Sequence, residues 1–397
     1  MRVLVIHNRY RSAQPSGENA VVDDETALLA QHGCEVERLE LDSDAIASWP
    51  LRKQATLPGR VVWSSEGYRL TRRAIARFRS DVVHFHNTFP LFSPSALWAA
   101  RQSGVAVVQT LHNFRPLCPA ATFLRDGRVC EDCLGRLPLP AVRHGCYRGS
   151  RAATVPLAAM GAVHRLLGTW RRCVDLFIAP SEFTRSKYIE AGWSLEKLVV
   201  KHNTAPEAGT LRSDRPDGFL CVSRLSPEKG VECLLDAWKL AFPHGEQTLT
   251  IAGSGVSESA LRSKAEGLAG VTFRGQVSRD EVMRLLARTR ALIVPSLWYE
   301  GFPRVIAEAL SVGVPVIVSR IGALAEIVDD GRTGLLVEPG SRDDLARALA
   351  KLASSDALAV ELCRGARRAF DDRFGPVATT TRLVSLYERT ASQVAQP

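Results

Sequence analysis

The sequence predicts an α/β protein made of two doubly wound domains that face each other across a cleft. Short apolar runs of strand length alternate with helical patterns, first over residues 1–201 and again from residue 219. A stretch rich in Pro, Gly and charged residues at 204–218 separates the two series, as a domain linker does. The length of 397 residues suits two domains of ordinary size, each with its own core.

The two alternating series also predict the domain boundaries. We expect a first domain at 1–204, a second at 205–375, and a helical segment at 376–397 that either caps the second domain or returns to the first. Residues 115–150 interrupt the first series because they are rich in Pro, Gly, Cys and Arg and lack periodicity. They are therefore predicted to form an insertion.

The net charge of +9 is unevenly distributed along the chain. Residues 1–201 contain 27 Lys and Arg against 18 Asp and Glu, whereas the remaining residues contain 24 of each. A basic first half suits an anionic partner, either a membrane surface or a phosphorylated acceptor. No RNA- or DNA-binding motif accompanies this charge, so nucleic acid is not predicted as a partner.

The first residues, Met-Arg-Val-Leu-Val-Ile-His-Asn, contain too short an apolar run for a signal peptide. No uncharged apolar stretch is long enough to span a membrane. Nine cysteines, an odd number spread over both halves, favour a reducing compartment over a disulfide framework. The expected location is the cytoplasm, with peripheral contact at the inner face of the cytoplasmic membrane.

Residues 294–319 predict a strand, a loop, a helix that begins at Pro303, and a second strand. Glu300 lies in the loop, at the edge of a parallel sheet where ligands bind. Glu308 lies on the helix among apolar residues. A buried, unpaired carboxylate is costly, so we expect either an Arg or Lys of the protein or the donors of a ligand to pair with Glu308.

Residues 220–235 predict a strand that ends at Ser223 and a helix that begins near Lys229. Arg224, Lys229 and the first free N–H groups of that helix would then converge, which favours a pyrophosphate site without a metal. An ordinary surface loop with salt bridges remains the alternative. Gly253-Ser254-Gly255 follows the next strand and could let the backbone approach a ligand.

The ordered set of these motifs is more specific than any one of them. It comprises Arg224 with Lys229-Gly230, Gly253-x-Gly255, Glu300-Gly301-Phe302 with Glu308-Ala309, Gly313-x-Pro315-Val316-Ile317, Gly322 with Glu326-Ile327-Val328, and Gly334-Leu335-Leu336-Val337. In this order the motifs resemble the retaining glycosyltransferases of family 4. The resemblance is dense over 219–350 and looser in the N-terminal half, and it implies the two-domain GT-B fold.

The resemblance implies a role for each matching residue. Arg224 and Lys229 would neutralise the donor pyrophosphate, and Glu308 would accept hydrogen bonds from the ribose hydroxyls. Glu300 would hold hydroxyls of the donor sugar, and the backbone near Val277 would meet the base. The implied donor-binding set is Gly17, Gly253, Val277, Glu300, Gly301, Phe302 and Glu308.

In the first domain, the resemblance implies that His112 contacts the donor sugar and that Gly17 and the N–H groups behind it face the donor phosphate. Together with His112, the implied catalytic residues are Glu300, Arg224 and Lys229. His84 and His86 lie two apart on one strand face, and we interpret them as structural or acceptor-lining residues and not as a metal pair.

Two sequence features bear on the mechanism. Many family members have Gly after Glu-Gly-Phe, whereas this chain has Pro303, which removes an N–H that could bind a donor hydroxyl and leaves the sugar open. Asp42-Ser43-Asp44 resembles the metal motif of the other large glycosyltransferase fold, but the cationic pair already supplies the metal's charge. We therefore expect metal-independent front-side transfer, with no cofactor required for catalysis.

Four cysteines of the insertion, Cys118, Cys130, Cys133 and Cys146, have the composition of a four-thiolate zinc site. Their outer spacings match no standard zinc finger. Structural zinc, free thiols and disulfides remain three open interpretations. Arg residues beside the apolar segment 152–160 suit either a membrane surface or a basic surface over a core helix.

The sequence thus predicts a retaining hexosyl- or N-acetylhexosaminyltransferase that uses a UDP- or GDP-sugar and builds a polysaccharide, a lipid-linked glycan or a glycolipid. Two alternatives remain open. One is a sugar-nucleotide epimerase of GT-B architecture, and the other is a non-catalytic binder of nucleotide sugars.

Overall fold

The computed structural model describes residues 1–12, 17–205, 207 and 218–395, so most of the predicted linker at 204–218 lies outside the described residues. The chain forms two compact units. The first comprises Met1–Phe123, Cys130–His202 and the chain from Thr379; the second comprises Leu124–Val129 and Asn203–Ala378.

The described residues contain fourteen strands, numbered in chain order. They are β1 (Arg2–Arg9), β2 (Glu35–Asp42), β3 (Val82–Phe85), β4 (Ala106–Thr110), β5 (Leu124–Arg125), β6 (Arg128–Val129), β7 (Leu176–Ala179), β8 (Leu198–Val200), β9 (Phe219–Val222), β10 (Leu249–Ala252), β11 (Val271–Gly275), β12 (Ala291–Val294), β13 (Val316–Ser319) and β14 (Gly334–Val337). All but β5 and β6 belong to two parallel sheets.

The helices of the described residues lie between these strands and at the end of the chain. They are α1 (Gly17–Gln31), α2 (Leu51–Gln54), α3 (Leu57–Val62), α4 (Ser65–Phe78), α5 (Ser95–Gln102), α6 (Leu139–His144), α7 (Arg151–Leu166), α8 (Thr169–Cys173), α9 (Glu182–Glu190), α10 (Val231–Ala241), α11 (Glu258–Ala265), α12 (Arg279–Arg288), α13 (Arg304–Ser311), α14 (Leu324–Ile327), α15 (Arg342–Ser354), α16 (Asp356–Ala369) and α17 (Pro376–Ala395). Short 3₁₀ turns supplement them.

The sheet of the first unit has the strand order β2-β1-β3-β4-β7-β8. β1 and β3 are parallel and in register from Val3 opposite Val82 to Ile6 opposite Phe85. These residues are fully buried, because helices cover both faces of a parallel sheet. The strand order changes direction between β1 and β3, and in doubly wound sheets ligands bind outside the carboxyl ends of the strands at such a point.

The sheet of the second unit has the order β11-β10-β9-β12-β13-β14, with its change of direction between β9 and β12. A large core lies against it and includes Trp238, Leu234, Ile293, Leu349 and Leu362, each fully buried. Two doubly wound parallel sheets in one chain confirm the predicted fold class.

The helix α17 belongs to the first unit from Thr379 onward. Leu383, Leu386 and Tyr387 are spaced so that they share one face of the helix, and all three are buried in the core that contains Val3 and Val5 of β1. The last segment of the chain therefore contributes to the first unit's core.

The insertion contains more regular structure than its composition predicts. β5 and β6 form an antiparallel hairpin joined by Asp126 and Gly127, whose φ angles of 51° and 73° are those of a two-residue hairpin turn. An Asp-Gly pair is a strong hairpin signal. The sequence therefore contained a signal for this hairpin, but the flanking strands are too short to be predicted from their apolar pattern.

Candidate active site

Two loops lie together at the carboxyl edge of the second sheet. One follows β9 and contains Arg224 and Lys229, and the other follows β12 and contains Glu300. Their strands are neighbours where the strand order changes direction. The amide of Leu297 donates to the carbonyl of Glu228 at 2.8 Å, which ties the two loops to each other.

Glu300 is the centre of this region. Its Oε1 accepts hydrogen bonds from Lys229 Nζ at 2.6 Å, Ser296 Oγ at 2.7 Å and Trp298 Nε1 at 2.9 Å. The Lys229 ammonium also lies 5.0 Å from the centre of the Trp298 ring. Oε2 accepts no hydrogen bond from the described part of the chain. A ligand hydroxyl can therefore use Oε2 without displacing the internal donors.

Opposing effects act on the pKa of the buried Glu300 carboxyl. Burial by itself raises this pKa, but the charge of Lys229 and the hydrogen bonds from Lys229, Ser296 and Trp298 together outweigh burial and lower it below its ordinary value. Glu300 is therefore a carboxylate at neutral pH and acts only as a hydrogen-bond acceptor.

Arg224 does not join the Lys229–Glu300 pair. Its guanidinium donates to Glu228 Oε1 at 2.8 Å, and Ser226 Oγ donates to the same oxygen at 2.6 Å. The Arg224 side chain is 55% exposed. Each predicted phosphate-binding cation thus has its own carboxylate, and of the two only Arg224 has a mostly exposed side chain.

The helix begins two residues after Lys229, close to the predicted start. Pro227–Lys229 forms a 3₁₀ turn, Gly230 follows at φ 68°, and α10 begins at Val231. A Cβ at Gly230 would lie 1.9 Å from the carbonyl oxygen of Pro295, so only glycine allows the loops to approach this closely. Pro303 likewise precedes its helix instead of starting it, since α13 begins at Arg304.

Gly253 and Gly255 serve close packing within the chain. A Cβ at Gly253 would lie 1.9 Å from the carbonyl oxygen of Ser223, and one at Gly255 would lie 2.2 Å from that of Leu225. The amide of Leu225 donates to the carbonyl of Ser254 at 2.9 Å. These glycines therefore allow the Arg224 loop to lie directly on the loop that follows β10.

Glu308 has charged partners inside the protein. It is buried on α13, with Oε1 3.0 Å from Nε of Arg304, one turn earlier, and 3.3 Å from Nε of Arg279 at the start of α12. Arg304 is buried and Arg279 is partly exposed. Of the two predicted solutions for this carboxylate, the structure contains the internal pairing, and Arg279 is the partner that a ligand can reach.

The remaining predicted residues of this region differ in exposure. Gly301 is partly exposed, whereas Phe302 is buried and packs on Phe374 with ring centres 5.6 Å apart. Val277 is partly exposed between β11 and α12. Phe302 therefore packs the loop against Phe374, while Gly301 and Val277 are partly accessible to solvent.

A cluster of histidines lies at the carboxyl edge of the first sheet. His84 and His86 come from β3 and the residue after its end, and His112 follows β4. Nδ1 of His86 lies 2.8 Å from Nε2 of His112, and the two rings stack with centres 5.1 Å apart. His84 is held by Thr110 Oγ1 at 2.8 Å and Tyr387 Oη at 2.6 Å.

Gly17 begins α1, and a Cβ there would meet nothing within 4 Å. The next residue, Glu18, accepts a hydrogen bond from Asn113 Nδ2 at 2.9 Å. Burial raises the pKa of Glu18, although the hydrogen bonds from Asn113 and Tyr10 and the charge of Arg115 oppose the rise. The start of α1 is thereby linked to the residue that follows His112.

Burial lowers the pKa of His84 from 6.5 to about 4, despite the opposing charge of Glu25. Between these values the unfolded chain binds a proton that the folded chain does not, so the free energy of unfolding falls as pH falls from 6.5 to about 4 and is unaffected by this group below that range. We expect His84→Gln to flatten this part of the stability profile, measured by urea unfolding at a series of pH values. An unchanged slope would contradict the prediction.

Glu25, His84 and His86 form the one group of at least three His, Cys, Asp or Glu residues, among those described, whose ligand atoms all lie within 4.8 Å of one another. Both ring nitrogens of His84 already have hydroxyl partners, and Lys201 Nζ donates to Glu25 Oε2. A second cation beside a buried ammonium is unfavourable. We therefore interpret this group as a hydrogen-bonded network.

All nine cysteines lie in the described ranges, and none of them forms a disulfide there. Burial raises the pKa of the Cys133 thiol to about 11, and the nearby sulfurs of Cys118, Cys146 and Cys130 add to the rise. These four do not form a compact ligand group of the kind described above. A zinc ion would need their side chains to rotate toward one another.

Asp42 and Asp44 serve local structure. Asp42 Oδ1 accepts a hydrogen bond from the amide of Asp44 at 2.8 Å, and Asp44 Oδ2 accepts one from the amide of Ser12 at 3.0 Å. Both carboxylates therefore stabilise the turn after β2.

Two family models cover nearly the whole chain. Residues 2–204 match the glycosyl transferase 4-like domain, and residues 216–355 match the glycosyl transferases of group 1. The chain belongs to the GT4-like glycosyltransferases. This confirms the family that the motifs of the second half resemble.

Relatives of this chain include the glycogen synthase of Mycobacterium tuberculosis, which is 31% identical over 273 residues, 66% of each chain. The alignment thus spans somewhat less than two thirds of that enzyme's length. The MMP alpha-(1->4)-mannosyltransferase of Mycolicibacterium hassiacum is 33% identical over 44% of this chain and 39% of its own.

Solved structures share the fold of this chain. Anabaena Alr3699/HepE in complex with UDP-glucose has a TM-score of 0.66 at 19% identity and covers 98% of this chain and 100% of its own. Sucrose-phosphate synthase from Thermosynechococcus elongatus has a TM-score of 0.69 at 18% identity, with 99% of each chain covered. None of the helices in the described residues combines the length and the apolar character that a membrane span requires.

Several partners of the candidate residues were missed at the sequence level. Ser296 and Trp298 stand four and two residues before Glu300, and Arg304 stands one helical turn before Glu308, so their positions in the sequence contained a usable signal. Glu25 and Lys201 are 176 residues apart, and no local pattern could have joined them.

Proposed function

We propose that this protein is a retaining glycosyltransferase that transfers a hexosyl or N-acetylhexosaminyl group from a UDP- or GDP-sugar to a glycan, lipid-linked or glycolipid acceptor. The observation that carries the proposal is the pair of Lys229 with the buried Glu300, 2.6 Å apart at the point where the strand order of the second sheet changes direction. It combines a cation for a diphosphate with a carboxylate oxygen, Oε2, that is free to accept a sugar hydroxyl.

In the proposed reaction, the bond between the sugar's anomeric carbon and the diphosphate oxygen breaks, and its electron pair leaves with the nucleoside diphosphate. The acceptor hydroxyl oxygen bonds to the same face of the sugar, and its proton passes to the departing phosphate oxygen. Lys229 and the exposed Arg224 would stabilise the charge that develops there. Glu300 would hold the sugar, and His112 would contact it.

The ribose and the base would lie near α12 and α13 in this proposal. Glu308 would accept hydrogen bonds from the ribose hydroxyls while buried Arg304 remains its ion-pair partner. The partly exposed Arg279 would move aside or contact the nucleotide, and the backbone at Val277 would meet the base. Gly17 would face the donor phosphate.

Binding and turnover together test the proposed function. We expect UDP- or GDP-sugars, at concentrations well above Kd, to raise the melting temperature, and one of them to release nucleoside diphosphate when an acceptor is added. NMR of the product should show the donor's anomeric configuration. Interconversion of the free nucleotide sugar would instead indicate the epimerase, and binding without either reaction would indicate the non-catalytic binder.

A pocket in the first unit supports a place for the acceptor. Its lining includes His86, His112, Arg115, Trp170 and Tyr188. Aromatic rings with a guanidinium are suited to a sugar ring that carries or adjoins a phosphate. We propose that the acceptor hydroxyl enters from this pocket.

We also propose that the first unit contacts anionic membranes. Exposed apolar side chains Leu139, Val155 and Leu166 lie on α6 and α7, which pack together, beside exposed Arg151 and Arg165. An apolar patch among cations suits an interface with anionic lipids. The proposed contact therefore combines attraction between the Arg side chains and anionic lipids with insertion of the apolar side chains into the membrane.

We expect Leu166→Glu to weaken binding to phosphatidylglycerol vesicles about 10-fold in a sedimentation assay. The substitution removes an apolar side chain that would insert into the membrane, and it adds a negative charge that the anionic lipids repel. Val256→Glu is the matched control, since Val256 is 91% exposed in the second unit. Equal binding of both variants, or equal binding to phosphatidylcholine vesicles, would reject the proposed surface.

Structural zinc is retained as a proposal for Cys118, Cys130, Cys133 and Cys146. A Zn²⁺ ion would convert the thiols to thiolates and leave no open coordination position, so it would stabilise the insertion without taking part in transfer. We expect one equivalent of zinc in purified protein and its loss in Cys130→Ser, with Cys233→Ser as the control. Wild-type protein with much less than one equivalent would reject the site.

A further inference from the structure

We infer that Glu25 and His86 are positioning residues that fix the proton of His112 on Nε2 and so leave its Nδ1 as a hydrogen-bond acceptor for a substrate hydroxyl. The inference rests on the proposed function in one respect, which is that His112 contacts the sugar. It assigns roles to two buried residues that the proposed transfer reaction itself does not use.

His112, His86 and Glu25 form a series of side-chain contacts that leads into the interior of the protein. His112 Nε2 lies 2.8 Å from His86 Nδ1, and His86 Nε2 lies 3.5 Å from Glu25 Oε1. Glu25 and His86 are each 5% exposed. Neither Glu25 Oε1 nor His86 Nε2 has another hydrogen-bond partner in the described part of the chain, so each is available to the other.

The charge of Glu25 selects one arrangement of protons. Lys201 Nζ donates to Glu25 Oε2 from a position that is itself 4% exposed, so the Glu25 side chain takes part in a buried ion pair. A carboxylate accepts hydrogen bonds only, and it therefore favours a proton on the facing Nε2 of His86. A lone pair at that position would be repelled by Oε1.

The proton on Nε2 of His86 determines the next contact. Neutral imidazole has one N–H, so Nδ1 of His86 then carries a lone pair and must accept from Nε2–H of His112. His112 in turn keeps its own lone pair on Nδ1. Burial lowers the pKa of both rings well below the ordinary value, and the neighbouring histidines and Lys201 lower it further, so both are neutral at physiological pH.

The neighbouring groups do not compete for this series of contacts. His84 Nδ1 is also 3.5 Å from Glu25 Oε1, but it lies 2.6 Å from Tyr387 Oη, and its other nitrogen contacts Thr110. His7 uses Nε2 with Asn19 Oδ1 at 2.8 Å. Glu25 therefore acts on His112 through His86 alone.

The tautomer is directly measurable. In protein labelled with ¹⁵N-histidine, we expect His112, assigned by its absence in His112→Gln, to carry its proton on Nε2. Glu25→Gln alone leaves the buried Lys201 without its partner and can unfold the protein, so the double variant Glu25→Gln/Lys201→Met is used. The side-chain amide introduced by Glu25→Gln can donate to His86, so the Nδ1–H tautomer of His112 should rise.

Either of two NMR results would overturn the inference. One is a wild-type His112 protonated on Nδ1, and the other is a tautomer ratio that the double variant leaves unchanged. This measurement needs no turnover. If the wild-type protein transfers no sugar, the proposed function fails while the spectrum still decides the role of Glu25 and His86.

Kinetics separate positioning from mere stability. We expect the double variant to lower kcat about 10- to 100-fold with little change in KM for the donor, and to have no further effect in a His112→Gln background. His86→Asn should retain more activity than His86→Ala, because its side-chain oxygen can accept from His112. A similar loss in both His86 variants would count against the inference.

The matched control is His164→Asn. His164 is a fully buried histidine held by Thr169 Oγ1 at 2.8 Å and by the carbonyl of Val62 at 2.7 Å, away from the network. It should cost stability without changing kcat or the tautomer of His112. A fall in kcat equal to that of the double variant would mean that the effect is general destabilisation and would overturn the assignment.

Discussion

Glu300→Gln is expected to lower kcat/KM for sugar transfer by about 10²- to 10³-fold, the range found for the loss of one preorganised electrostatic contact in a buried site. The substitution keeps the volume of the side chain but removes its charge. The three donors that converge on Oε1 are arranged for a carboxylate, and a sugar hydroxyl bound to Oε2 would lose a charged acceptor.

Two measurements accompany this variant. Glu258→Gln is the control, because Glu258 forms an ion pair with Arg262 at 2.9 Å on α11 of the same unit. It should leave transfer unchanged. The double variant Glu300→Gln/Lys229→Met removes both charges. It should have a higher melting temperature than Glu300→Gln but should not regain activity. Full activity in Glu300→Gln would remove Glu300 from the proposed site.

Lys229→Met is expected to lower kcat/KM by about 10²-fold and to weaken the binding of the nucleoside diphosphate, since the partly buried ammonium is paired with Glu300 in this region and its loss removes a charge-assisted contact. The binding of UDP or GDP, followed by isothermal titration calorimetry, checks the second effect. In this variant, the affinity for UDP or GDP should also depend less strongly on salt concentration.

The same variant makes a prediction about pH. Lys229 lowers the pKa of Glu300, so its removal raises that pKa, and the fall in residual activity on the acid side should move to higher pH. Lys264→Met is the control, because Lys264 pairs with Asp236 at 2.9 Å without contact to Glu300. An acid limb that stays in place would show that Lys229 does not set the charge of Glu300.

The two alternating series of strands and helices were sufficient to predict both doubly wound sheets, because a buried parallel strand needs an apolar run of a few residues and little else. The family could also be predicted from the sequence, since its motifs are short segments at strand ends. The first and last residues of the helices and strands were predicted less accurately. The start of α10 depended on how closely Gly230 approaches Pro295, which is a contact between loops 65 residues apart.

Local spacing explains which site contacts were within reach of the sequence. Glu300 with Ser296 and Trp298, and Glu308 with Arg304, are separated by two to four residues, so the spacing contained a signal for these contacts, although they were not predicted. The pairing of Arg224 with Glu228 is also local, but it competed with the prediction that Arg224 would join Lys229. Sequence spacing could not rank those two outcomes.

The amino-acid pattern was enough to predict the two doubly wound sheets, the family and the loops at strand ends that hold Arg224, Lys229, Glu300 and His112. Which charged groups meet depended on tertiary packing. Tertiary packing brings Lys229 into contact with Glu300, and it buries Lys201 against Glu25, next to His86. The physical reason is that patterns of apolar residues fix secondary structure over short distances, whereas the partner of a buried charge is chosen by the packing of elements far apart in the chain.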